Sequence, residues 1–288
     1  MSEATLTVER RADQKLEASA SQRREAPAFR LGFSSKAALP WVLPLTVLIL
    51  WQASASLGAL PPSVLPAPFD VLKAAWRLTR TGELGANALI SFKRAISGLI
   101  VGGSIAFALG LANGLSRLFE QATDTTIQMV RNIPNLALIP LVILWFGIDE
   151  EAKLFLVSFG VFFPIYINTF HGIRTVDPQL IEMARSYGFS GFALFRRVIL
   201  PGALPSILVG LRYALGIMWL TLIVAETIAA QSGLGYMAMS AREFMQTDVV
   251  VLAILIYALL GKLADSSVRI IEYWTLSWHP AYRKGARR

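Results

Sequence analysis

An all-α membrane protein with about six spanning helices is the fold this sequence predicts, and three observations carry that expectation. The 288 residues are 55% hydrophobic and only 16% charged, whereas soluble domains carry about 25% charged residues. The apolar residues gather into six long runs, and a surface so apolar must face lipid. The net charge of +8 comes from Lys and Arg lying mostly outside those runs. That placement suits a bilayer partner and not a nucleic-acid partner.

Residues 1–38 are polar, without a sustained apolar period, and read as a disordered cytoplasmic tail. The first span runs from about Leu39 to Leu57, kinked at Pro44. Its Ala53-Ser54-Ala55 resembles a signal-peptidase site, but nearly forty polar residues precede the run, so it reads as a spanning helix. After the prolines at 61, 62, 66 and 68, residues 69–80 set Phe69, Leu72, Ala75, Trp76 and Leu78 against Lys73, Arg77 and Arg80. This is the pattern of an amphipathic interface helix. The second span, about Ala95 to Leu115, places Gly102, Ala106, Gly110 and Gly114 four apart, a smooth face for close helix contact. The third, about 126–147, is interrupted by Pro134 and Pro140 and carries Arg131, Asn132 and Asn135. A turn at 147–151 leads to the fourth span, about 152–171. A polar loop at 172–206 precedes the fifth, about 207–230, and the sixth covers about 248–270 with Lys262 and Asp265 in its lower turns.

Orientation follows from the basic residues. With the N-terminus inside, the tail carries seven, the loop at Arg117 one, the 172–206 loop four and the C-terminal end four. The outer segments hold three in 58–87, plus Arg242. Sixteen against four predicts cytoplasmic termini. The expected organisation is a tail (1–38), a membrane domain (39–278) and a basic cytoplasmic end (279–288).

Catalysis finds little to work with. The chain has no cysteine and only two histidines, His171 and His279, far apart. No catalytic or metal site is expected. The nearest approach to a phosphate-binding loop, Gly261-Lys262, is followed by Leu263, and Ile256 stands where the first glycine belongs.

The 172–206 loop carries the functional signal. It reads Glu182-Met183-Ala184, three residues, Gly188, nine residues, Val198, one residue, Leu200-Pro201. This resembles the cytoplasmic "EAA" signature of importer permeases in the ATP-binding-cassette superfamily, with Met183 replacing Ala and Val198 replacing Ile. A short helix there would dock into a partner's groove. Gly188 would permit the turn after it, and Pro201 would end the descending segment before the fifth span. Further stretches, Arg131-Asn132-Ile133-Pro134, Leu138 to Gly147, Phe163 to Thr169 and Ala225-Glu226-Thr227, resemble the nitrate, sulfonate and taurine branch, closest to its aliphatic-sulfonate members, over about 40–282. The resemblance implies a type I importer permease in a bacterial inner membrane. It also implies a second copy of the chain, a cytoplasmic ATPase dimer holding ATP and Mg, and a periplasmic substrate-binding protein. Taurine or nitrate is the alternative cargo, and an ion-coupled secondary transporter the alternative mechanism.

Four residues are candidates for the pathway or a gate. Glu226, in the fifth span, could close a gate or hydrogen-bond to packed helices. Arg131 and Asn135, four apart, would share a helical face and, with Asn132, line the inner pathway. Alternatively Arg131 snorkels to headgroups.

Overall fold

A computed structural model describes residues 35–278. The expected tail falls outside the described residues except for 35–38, which are already helical, and the basic end at 279–288 falls outside them entirely. The chain divides into two units between Leu50 and Trp51. The first contains most of helix α1 (Ser35–Ser56), whose apolar part, Val42–Ser56, corresponds to the expected first span.

The second unit is helical throughout its described elements. They are α2 (Pro68–Arg80), α3 (Glu83–Leu115), α4 (Arg117–Arg131), a 3-10 turn at Asn135–Leu138, α5 (Ile139–Phe146) and α6 (Glu150–Arg174). Then follow α7 (Pro178–Ser186), α8 (Gly191–Leu194), α9 (Leu200–Ala229), α10 (Leu234–Glu243) and α11 (Thr247–Thr275). Among the described residues four helices are long and apolar enough to cross a membrane, α3, α6, the run Gly191–Ile228 and α11, while Val42–Ser56 is apolar but shorter. A fifth crossing is supplied if α4 and the Asn135–Phe146 segment count as one broken span, bent by 83°. Between 22% and 39% of each long helix's most apolar window is buried, so most of that surface is left for lipid.

Helix α6 is the central post, and glycines decide how closely its neighbours approach. A Cβ on Gly110 would sit 2.8 Å from Thr169 Cβ and 2.9 Å from the Tyr166 carbonyl oxygen, and one on Gly114 2.8 Å from Ile173 Cβ. Gly98 and Gly102 meet Val157 and Ser158 in the same way. The small-residue face read from the sequence is thus the α3–α6 seam, and the rising order on both sides makes the helices parallel. On the other flank Gly210 approaches Asn168, and Gly160 approaches Thr221 of α9. That order is reversed, so α9 runs antiparallel to α6.

Two expectations about element ends change, and one holds. Helix α3 begins at Glu83, twelve residues before the expected span, because the polar residues Glu83, Asn87, Ser91, Lys93 and Arg94 lower hydropathy without breaking the helix. At 33 residues it measures about 50 Å and projects beyond a hydrocarbon core of about 30 Å. The third span is broken at Pro134, as its sequence indicates. Pro134 holds an extended ψ of 120°, and proline disfavours helical backbone at the residue before it. Pro201, finally, does not end the descending segment. Residues 191–228 form one continuous helix whose Phe195–Ile199 turn is widened to π geometry. Proline lacks an N–H and crowds the carbonyl four residues back; here that carbonyl belongs to Arg197, inside the widened turn, which takes up the misfit.

Candidate functional site

Charged residues gather at the two ends of the bundle. At one end stands Arg94, in the projecting part of α3. Its Nε and Nη2 donate to the two Glu150 carboxylate oxygens at 2.6 and 2.5 Å. Its Nη1 donates to Glu226 Oε1 at 2.8 Å and to the Ser232 carbonyl at 2.6 Å. Glu226, 1% exposed, also accepts from Ser91 Oγ (2.8 Å), Tyr257 Oη (2.9 Å) and the Gly235 N–H (2.9 Å). Two more side chains hold the same loop: the Gly233 N–H donates to Asn87 Oδ1 and the Leu234 N–H to Ser91 Oγ, both at 2.8 Å. Of the two roles open to Glu226 from sequence, this is the geometry of a packing bond. Lys153, nearly buried, donates to the carbonyls of Ile148 and Asp149 at 2.9 and 3.2 Å, fixing the turn before α6. Two cations and two carboxylates therefore balance within one cluster.

At the opposite end Arg212 of α9 reaches Glu272 at 2.5 Å and Asp265 at 3.3 Å, and Arg269 reaches Asp265 at 3.0 Å. Asp265, expected in a lower turn of the last span, thus faces protein. Arg174 pairs with Glu120. The first cluster unites the starts of α3 and α6 with the end of α9. The second set unites the end of α11 with the start of α9, and the end of α6 with the start of α4. Chain direction therefore alternates through the bundle as the spans require.

The pathway candidates lie between these ends. Arg131 is the last residue of α4, and Asn132 caps it, its N–H bonded to the Met129 carbonyl at 3.2 Å. Asn132 Nδ2 turns back to the Gln128 carbonyl at 3.0 Å. Asn135 lies beyond the break, so Arg131 and Asn135 do not share a helical face as expected: no helix continues across Pro134 to carry the register. They meet instead across a groove of about 480 Å³, lined also by Phe163, Asn168 and Tyr213. Asn135 Nδ2 donates to Thr221 Oγ1 at 3.0 Å, while its Oδ1 is buried with no partner among the described residues.

The polar loop folds around α7. The Asp177 side chain accepts from the Gln179 N–H at 2.9 Å and Pro178 opens the helix, both favoured starts. Its end is a Schellman motif: the Phe189 N–H donates to the Ala184 carbonyl at 3.0 Å and the Gly188 N–H to that of Arg185 at 2.9 Å. This requires the left-handed backbone Gly188 adopts, φ +85°. A Cβ at Gly188 would meet nothing within 4 Å, so the demand on it is conformational and not spatial. Ala184 faces inward and Ile181 packs near Val176 and Ala203. Glu182 and Met183 face outward, with Leu180, Tyr187 and Phe192 also exposed. Val198, Leu200 and Pro201 are half-buried in the widened turn and the start of α9.

Sequence reasoning missed Arg94, Glu150 and Tyr257. One signal was available: a carboxylate in an apolar run needs a cation, and Arg94 and Lys153 are the basic residues at the margins of spans that end on Glu226's side.

Residues 98–276 match the family described as the binding-protein-dependent transport system inner membrane component. The chain is 62% identical over 243 residues to the permease protein SsuC of Escherichia coli (strain K12), whose name assigns it to aliphatic sulfonates transport; the match covers 84% of this chain and 92% of that one. It is 44% identical over 241 residues to the SsuC of Bacillus subtilis (strain 168), covering 84% and 87%. The taurine transport system permease protein TauC of Escherichia coli (strain K12) is 36% identical over 240 residues, covering 81% and 86%.

Proposed function

The chain belongs to the inner membrane components of binding-protein-dependent transport systems, a multi-pass membrane permease, and from that premise we propose that two copies of it form the passage by which aliphatic sulfonates enter the cell. A periplasmic binding protein delivers the anion. A cytoplasmic ATPase dimer, with its own ATP and Mg, drives the cycle. Both termini and the 172–206 loop face the cytoplasm, as the basic residues favour. Sulfonate is preferred over taurine because identity falls from 62% to 36% between the two named relatives.

The observation that carries this reading is the α7 loop. Its Schellman end and Ile181 anchor fix a short helix at the bundle's end, with Met183, Leu180, Tyr187 and Phe192 turned outward. Exposed apolar side chains on a polar loop mark a partner's groove. Glu182 stands beside them as a charged contact, and Gly188, Val198, Leu200 and Pro201 shape the descent to α9. Movement of the docked ATPase would thereby pass into α9, which carries Tyr213 and Thr221 to the groove.

A sulfonate keeps its negative charge, so an apolar passage would impose a large desolvation penalty. The groove offers Arg131, Asn135 and Asn168 as donors, and we assign it to the inner pathway, with Asn132 holding the end of α4. The test is uptake by the assembled transporter in proteoliposomes, comparing Arg131→Lys, Arg131→Gln and Arg131→Ala at equal protein levels. A pathway role requires a steep loss in Gln and Ala with ATP hydrolysis still stimulated by loaded binding protein. If Gln transports as well as the parent, Arg131 is only an anchor. Uptake of taurine or nitrate in preference to alkanesulfonates would replace the cargo.

A further inference from the structure

Helix α2 has three faces, and one of them is buried in the protein. Val71, Ala74 and Leu78 are buried and join the main core with Val249 and Leu252 of α11. About half a turn round the helix, Phe69, Leu72 and Trp76 are 59%, 65% and 62% exposed. They stack at spacings of three and four, one continuous apolar stripe. Beside that stripe stand Lys73, Arg77 and Arg80. Lys73 Nζ lies 4.6 Å from the Phe69 ring centroid and the Arg80 guanidinium 4.7 Å from that of Trp76, so the cations lean over the aromatic stripe.

The height of the helix is also fixed. Arg77 lies 3.6 Å from Asp248, and Thr247 Oγ1 donates to the Pro62 carbonyl at 2.7 Å. Thr247 and Asp248 open α11, and its apolar run starts at Val249. Helix α2 therefore lies across the level where a span leaves hydrocarbon for headgroups. Lys73 has Asp70 at 3.1 Å and Arg77 has Asp248, but among the described residues no carboxylate pairs with Arg80. An open cleft of about 500 Å³, lined by Phe69, Leu72, Lys73, Ala75, Trp76 and Thr79, runs along the stripe.

We propose that this face of α2 binds anionic lipid: the acyl chain lies along Phe69, Leu72 and Trp76, and the phosphate is held by Lys73 and Arg80. Aromatic and aliphatic side chains flanked by basic ones are the chemistry of interfacial helices on anionic membranes. The charge flanking the stripe is basic apart from Asp70, which complements an anionic headgroup. The site concerns the bilayer alone and does not depend on what the protein transports.

The chain has no cysteine, so Thr79→Cys gives a single attachment point in the cleft for an environment-sensitive fluorophore. The full chain goes into nanodiscs containing brominated phosphatidylglycerol or, at equal mole fraction, brominated phosphatidylcholine. The expected result is stronger quenching by the brominated phosphatidylglycerol. That preference should fall by about fivefold for each cation removed in Lys73→Gln and Arg80→Gln, the effect of one basic residue at an anionic surface. Equal quenching by the two lipids in the parent overturns the proposal, whether or not the variants assemble. So does quenching by aqueous iodide alone, which would put the face in water. Loss of lipid quenching when a periplasmic binding protein is added, without any lipid preference, would make the face a protein dock and refute it too.

Discussion

Replacing Arg94 by Met keeps the side chain's length and removes its charge and all of its hydrogen bonds. The two carboxylates it serves differ sharply in their alternatives. The Glu150 side chain is 64% exposed and returns to water. The Glu226 side chain is fully buried; it retains Ser91, Tyr257 and the Gly235 N–H but loses the one cation paired with it among the described residues. Leaving one member of a buried pair uncompensated costs about 3–5 kcal/mol. Because three neutral donors remain, the lower end of that range is expected for Arg94→Met. Glu150→Gln removes an exposed partner, and about 1 kcal/mol or less should follow.

The reciprocal change, Glu226→Leu, leaves Arg94 with Glu150 and the Ser232 carbonyl, but strands the Ser91 and Tyr257 hydroxyls and the Gly235 N–H. Each stranded buried donor costs about 1–3 kcal/mol. The double variant should be less destabilised than the sum of the singles, since neither then faces an abandoned charge, with a coupling of about 1–3 kcal/mol. Thermal unfolding in nanodiscs, supported by proteolysis of the 230–235 loop, reads all four proteins. Arg94→Met as stable as the parent would refute the reasoning. So would Glu150→Gln costing as much as Arg94→Met, because burial would then not be what sets the magnitude.

Gly110→Val should separate α3 from α6, because the added carbons collide with Thr169 and with the Tyr166 carbonyl; a loss of about 1–3 kcal/mol read as a lower unfolding temperature is expected, with Gly216→Ala, where nothing lies within 4 Å, as the silent control. Gly188→Val forces a β-branched residue to φ +85°, costing about 1–2 kcal/mol locally; the protein should still insert, and binding-protein-stimulated ATP hydrolysis should fall, whereas Gly188→Asn should retain most of it. Single cysteines at Gln231 and Phe192 should react with an impermeant thiol reagent from opposite sides of the membrane, Gln231 from the periplasm; reversed labelling would invert the proposed orientation and remove the 172–206 loop from the ATPase.

What the sequence disclosed is what local chemistry dictates. The α7 turn was legible because a Schellman motif needs glycine at one position, and Gly188 stands there. The α3–α6 seam was legible because contact that close leaves only small residues at four-residue spacing. The α2 helix was legible from its charge and aromatic pattern, though not which stripe meets protein: Leu78 is buried, whereas Phe69 and Trp76 are not. The Arg94 cluster was hidden for two reasons. Its members come from residues 87 to 257, and no spacing rule links them. Hydropathy also counts Lys93 and Arg94 as the end of a span, when a charge satisfied inside the protein no longer behaves as polar surface.

The same distinction bears on where the chain is free to move. In the Arg94 cluster every N–H of the guanidinium fork faces an acceptor, and Glu226 receives four donors. A rearrangement there would have to break several charge-assisted bonds at once. The broken span is held differently. Asn135 makes one hydrogen bond to Thr221 and, among the described residues, leaves a buried Oδ1 without a partner, and the stretch across Pro134 has no continuous helix to keep its shape. Saturated bonds tie α3, α6 and α9 at one end, while the segment between α4 and α5 packs Leu138 against the Ile139 and Val142 cluster and has one side-chain hydrogen bond to α9. An importer that opens alternately to each side needs a fixed frame and a yielding element. The Arg94 cluster has the bonds such a frame requires, and the broken span, with its one side-chain hydrogen bond to α9, is the candidate for the yielding element.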